Sequence, residues 1–149
     1  MDNIMIFRGQ IASKPRMTQS DKWKTRPATS KYWAFKDLLT IQANLQGFRL
    51  GDQIKVTVGL PMPKSWSKKK REELNQMPHQ QKPDVDNILK SIQDILLPKD
   101  DSCVWAVCIT KIWIADTEGY LEIENINPEP MDVEKTSKNL KNRLKNIKP

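Results

Sequence analysis

Hydrophobic and polar positions alternate between Gln53 and Leu60: Ile54, Val56, Val58 and Leu60 fall on one side, Lys55 and Thr57 on the other. A period of two predicts a half-buried strand, because successive side chains of an extended chain point to opposite faces. From Asp84 to Leu97 the period changes. Ile88, Leu89, Ile92, Ile95 and Leu96 recur at spacings of one, three and four, which predicts an amphipathic helix, and Pro98 stops it. A further helix is expected from Ser30, a suitable cap, to about Leu45, with Tyr32, Phe35, Leu38, Leu39, Gln42 and Leu45 marking one side. Ile4–Phe7 reads as a short strand. Cys103 to Ala115 is dense in Val, Ile and Trp and predicts a long strand, buried for much of its length. After a turn at Asp116–Gly119, Tyr120–Ile123 is the return strand, with Leu121 and Ile123 inward and Glu122 and Glu124 outward. Ser65 to Gln76 looks like a short, very basic helix, Met77 to Pro83 a polar loop, and Ser13 to Thr29 a long basic loop.

At 149 residues one domain is expected, large enough to remove roughly two-thirds of its unfolded surface from water. Its bounds are set at residues 1–130, with 131–149 a flexible basic tail that carries a fraying helix from Ser137 to Ile147. Lys and Arg number 25 against 18 Asp and Glu, a net charge of +7. No apolar run approaches the ~20 residues of a membrane span. The start, Met1-Asp2-Asn3-Ile4-Met5-Ile6-Phe7, lacks the basic opening and long apolar core of a secretion signal, so a cytoplasmic location is expected.

Cys103 and Cys108 match no zinc or redox spacing and are expected to be reduced, buried and apolar in character. His79 is the single imidazole, which excludes a His-rich metal site within one chain. Any metal must therefore be held by carboxylates, which favours Mg²⁺, Mn²⁺ or Ca²⁺.

The densest chemistry lies in Lys82-Pro83-Asp84-Val85-Asp86-Asn87-Ile88-Leu89-Lys90, followed beyond the helix by Lys99-Asp100-Asp101-Ser102. Taken singly, each residue has a plainer role. Asp84 or Asp86 can cap the helix, Lys90 can pair with Asp86 one turn back, and Asp100-Asp101 can be turn residues. Taken together in a basic protein, a divalent-cation site is the better explanation. Three gathered carboxylates repel one another, a hard cation relieves that conflict, and oxygen ligands suit Mg²⁺. An EF-hand fails, because Ile88 and Leu89 occupy the positions of its third ligand and its glycine. The restriction-type nuclease pattern fails as well, since no Asp or Glu has Lys two positions later.

On these residues the chain resembles the RusA-like Holliday-junction resolvases, small endonucleases common in phages and prophages. Asp94-Ile95-Leu96, Asp100-Asp101-Ser102-Cys103-Val104, Lys14-Pro15-Arg16-Met17 and Met62-Pro63-Lys64-Ser65-Trp66-Ser67 extend the likeness to about Asn125. The resemblance implies that Asp84, Asp86 and Asp101 are the metal-binding carboxylates, with Asp100 beside them, and that Lys90 is the catalytic lysine. It further implies an α/β (α+β) fold with a small mixed sheet packed by helices, a homodimer, and Mg²⁺ as cofactor with Mn²⁺ able to substitute. The expected substrate is branched DNA, a four-way junction resolved by paired symmetric nicks that leave 5′-phosphate and 3′-hydroxyl ends.

The basic residues are expected to meet phosphates. Lys14, Arg16, Lys22, Lys24 and Arg26 form one cluster with few acidic partners, and Lys64, Lys68, Lys69, Lys70 and Arg71 form another. Trp23, the best exposed aromatic candidate, sits among the first group and can stack on unpaired bases. Trp33 reads as core from the helix pattern, and Trp105 and Trp113 as parts of a buried strand. Two other activities are compatible with these residues: an Mg²⁺ nuclease for other branched DNA, and a non-catalytic DNA-binding accessory whose carboxylates only cap a helix.

Overall fold

The alternation at Gln53–Pro61 builds β2, whose Ile54, Val56, Val58 and Leu60 are all buried. The structure, a computed structural model, describes residues 3–16, 26–99, 102–126 and 133–147. Over these the order is β1 (Ile4–Gly9), α1 (Pro27–Leu45), β2, α2 (Lys68–Leu74), α3 (Val85–Leu96), β3 (Ala106–Ile114), β4 (Gly119–Asn125) and α4 (Val133–Lys145). The strands form one mixed sheet in the order β1-β4-β2-β3, with β2 and β3 parallel and the other neighbours antiparallel. The expected α+β architecture is present. Among the described residues no helix is long and apolar enough to cross a membrane.

Strand register lines the core up in rows. Met5, Ile123, Val56 and Ile109 are successive partners across the sheet, and Phe7, Leu121, Val58 and Lys111 form the next row. Members of a row share a face. Tyr32, Phe35, Leu39 and Ala43 of α1 and Ile88, Ile92 and Ile95 of α3 close over that face to complete the core, with Phe35 meeting Phe7 edge-on at 5.3 Å. Lys111 is thus a lysine at the end of an apolar row.

Both outer strands are covered along part of their length. On β1, the Gln46 side chain accepts from the Ile6 N–H at 2.9 Å and donates to the Ile6 carbonyl at 2.7 Å. Gln42, one helical turn away, makes the same pair with Arg8 at 3.0 and 2.9 Å. On β3, the segment Gln76–His79 runs alongside: Gln76 N–H donates to Trp113 O, Trp113 N–H to Met77 O, and His79 N–H to Lys111 O, at 2.7 to 3.0 Å.

Several expectations need correction. β4 does not return beside β3; it lies between β1 and β2, and its Leu121 and Ile123 are fully buried in the core cluster shared with α1 and α3. β3 is an edge strand, and Val107, Cys108 and Thr110 are exposed rather than buried. Cys103 and Cys108 are both exposed. Trp33 and Trp105 lie outside the core, at 44% and 55% exposure; Lys36 covers the Trp33 ring at 5.0 Å, and the Trp105 indole donates to Asp52. α1 starts at Pro27, which stands in its first turn, where a missing N–H costs nothing, so Ser30 is no cap. Its Leu38 and Leu45 face outward. α2 is shorter than expected, starting where the Ser67 hydroxyl accepts from Lys70 N–H. The tail forms α4 from Val133, earlier than Ser137.

Candidate active site

α3 begins at Asp84, whose extended backbone (φ −69°, ψ 147°) hands the chain into the helix. The Asp84 carbonyl accepts the first helical bond, from Ile88 N–H at 3.1 Å, but its carboxylate makes no capping bond. The capping role is therefore not what this side chain does. Asp86 follows in the first turn, and both residues are exposed. The positive end of the helix favours this pair of anions.

The approach to Asp84 includes the cis Lys82–Pro83 peptide and is held by a side chain of the sheet. From β3, the Lys111 ammonium donates to the carbonyls of Gln81 and Pro83, the latter at 2.6 Å. The resulting cleft, about 580 Å³, is lined by His79, Gln80, Gln81, Lys82, Asp84, Val85 and Lys111. His79 forms part of its floor, buried and stacked on Trp113 at 3.9 Å. Burial, and secondarily the Lys111 charge, pushes its imidazole below the usual value, although hydrogen bonding to the backbone opposes this. Trp113 in turn packs on Trp66 at 4.8 Å, with Lys70 over the Trp66 ring at 4.1 Å. Lys70, Gln80 and Gln81 line a neighbouring groove, so α2 borders the cleft.

The loop after β1 reaches the same place. Lys14 N–H donates to the buried Ser91 hydroxyl at 2.8 Å, and that hydroxyl donates to Asn87 O at 2.9 Å. A second opening beside Asp84 is lined by Ser13, Lys82, Pro83, Asp84 and Asn87. Lys90 pairs with Asp94 at 3.3 Å, and Lys14 approaches the other oxygen of Asp94 at 3.9 Å. Asp84 and Asp86 thus stand at the start of α3, and the ammonium groups of Lys90 and Lys14 meet at Asp94, two turns further along the helix.

The remaining expected residues divide in two. Arg26 sits at the start of α1 and donates to the Arg16 carbonyl at 2.9 Å. Lys64, Lys68, Lys69 and Lys70 are exposed and Arg71 is half-buried. Lys22, Trp23, Lys24, Asp100 and Asp101 lie outside the described residues. Among the described residues no three His, Cys, Asp or Glu side chains gather as a metal site. Lys111 was not anticipated, although its alternation with Ile109 and Trp113 was a readable signal.

A family model described as endodeoxyribonuclease RusA matches residues 9–124. The chain belongs to the RusA endodeoxyribonuclease family. The match runs from the end of β1 to β4, and so contains the Lys14 loop, the α2 cations and all of α3. No curated protein matches the chain.

Proposed function

We propose that this chain is an Mg²⁺-dependent, structure-selective endodeoxyribonuclease that resolves four-way DNA junctions by paired nicks, acting as a homodimer. The observation that carries the reading is the exposed Asp84–Asp86 pair, with the Asp84 carboxylate not used in capping, at the start of a helix that also carries Lys90 in a RusA-family chain. All-oxygen donors suit Mg²⁺, with Mn²⁺ as substitute. Asp84 and Asp86 would hold the ion, with Asp101 as the third carboxylate carried by family resemblance. When bound, the ion lowers the pKa of a water and offsets phosphate charge.

The chain's own residues supply the rest. Lys90 stabilises the charge that builds on the attacked phosphate. Lys14, Arg16 and the α2 cations Lys64, Lys68, Lys69, Lys70 and Arg71 hold the flanking backbones. A four-way junction presents two equivalent strands, and two copies related by a two-fold axis present two equivalent sites.

The test is incubation with a labelled four-way junction, with Mg²⁺ or with EDTA, beside flaps, forks and plain duplex. Symmetric nicks on the junction in Mg²⁺ alone are expected. Preference for another branched substrate replaces the junction assignment, and binding without cleavage of any DNA overturns the nuclease reading in favour of an accessory protein.

A further inference from the structure

Asp94 lies two turns beyond Asp86 on α3, half-buried, with a side-chain exposure of 26%. Its two carboxylate oxygens serve two different lysines: Oδ1 faces Lys90 Nζ at 3.3 Å and Oδ2 faces Lys14 Nζ at 3.9 Å. The lysines come from distant parts of the chain, one on the helix and one on the loop after β1. That loop is itself tied down, because the Lys14 N–H donates to the buried Ser91 hydroxyl one helical turn before Asp94. The backbone of Lys14 is therefore tied to α3, and among the described residues its ammonium pairs with the Asp94 carboxylate. Two ammonium groups brought together in this way repel, and an intervening anion opposes that repulsion.

An isolated surface ion pair contributes little to stability. A carboxylate shared between two cations beside a phosphate-cleaving site has a different use. It sets where the positive charge stands before DNA arrives, and so reduces the reorganisation needed during reaction. We propose that Asp94 is a positioning residue that holds Lys90 and Lys14 as a paired cationic arm for the phosphate being cleaved. The inference rests on the nuclease reading above and on Lys90 as the lysine of that reaction.

Such a role makes an unusual prediction for Asp94→Asn. Removing a negative charge next to bound phosphates leaves junction binding unchanged or tighter. Cleavage nevertheless slows, because the carboxylate that both ammonium groups share is gone. Binding and turnover move in opposite directions.

The experiment compares wild type, D94N, D94E, K14M, K90M and the double variant D94N/K90M. Junction affinity is measured in EDTA, single-turnover cleavage in Mg²⁺, and folding by thermal midpoint. Expected results are a cleavage rate for D94N lower by about 10- to 100-fold, affinity at or above wild type, recovery of most of the rate in D94E, and a smaller loss in K14M. Relative to K90M, the double variant should lose no more than K14M loses relative to wild type, well short of the product of the D94N and K90M losses, as expected when Asp94 acts through Lys90 and Lys14. D94N cleaving at the wild-type rate, or losses that simply multiply in the double variant, overturns the inference. Should D94N prove unfolded, K14M and D94E decide, and a full rate in K14M counts against the arm. A wild type inert on every branched DNA overturns the nuclease reading itself, whereas an active wild type with an equally active D94N overturns only the role of Asp94.

Discussion

Replacing Lys111 by Met keeps an unbranched stem on the inner face of β3 and deletes only the ammonium, which donates to the carbonyls of Gln81 and Pro83. Hydrogen bonds from a charged donor contribute about 1.5–3 kcal/mol each. These two act on a loop whose carbonyls can be rehydrated once released, so the low end applies and the pair is not fully additive. The expected loss is about 2 kcal/mol, or about 4–8 °C in thermal midpoint for a chain of this size. The functional consequence is larger than the thermal one. Pro83 immediately precedes Asp84, the proposed ligand, and loss of a residue that orients a ligand typically weakens metal binding by 10-fold or more. The Mg²⁺ concentration for half-maximal cleavage should rise by about 10-fold, with Lys111→Arg restoring part of it. A melting scan with a Mg²⁺ titration of cleavage checks both. A Lys111→Met protein that melts within about 1 °C of wild type and keeps the wild-type Mg²⁺ response would refute the argument.

Asp84→Asn and Asp86→Asn should each lower cleavage by at least about 10³-fold while junction binding in EDTA persists; a gel-shift beside a cleavage assay separates the two. Junction affinity should fall steeply with salt. If five of the cations named above each neutralise one phosphate, the plot of log affinity against log salt has a slope of about −4.5, and a flat response removes the basic clusters from the interface. His79 predicts a pH effect on stability. Its folded pKa lies below the ordinary 6.5, so the unfolded chain binds the proton more readily; stability is fully present above about pH 6.5 and falls as the pH drops toward the folded value. Thermal midpoints measured from pH 8 down to pH 5 should show this loss, and His79→Gln should flatten it.

How much was legible depended on whether a signal was local. The periodicity of Gln53–Leu60 and of Asp84–Leu97 set the inner faces of β2 and α3 within a residue of their observed bounds, because each face is buried against the same core. The dense apolar composition of Cys103–Ala115 misled, because composition does not separate a central strand from an outer one. The order β1-β4-β2-β3 depends on pairings between residues far apart in the chain, and a short link such as Ala115–Glu118 reads like a hairpin although its strands are not neighbours. In the candidate site, Asp84, Asp86 and Lys90 stand in one short motif that a local reading can pick out, and the fold sets them on the cap and first turns of α3. The meeting of Lys14 with Asp94 and of Lys111 with Pro83 joins distant segments, so only the folded chain discloses it.

The paired glutamines on α1 bear on how copies of this chain can associate. Spaced one helical turn apart, the amides of Gln42 and Gln46 act as a makeshift strand, each giving and taking one bond with β1. At the opposite rim, Gln76–His79 occupies the bonding groups of β3. Along these stretches an incoming strand finds its docking rail already in use. Over those stretches the same closure guards this lysine-rich molecule against ribbon-like stacking.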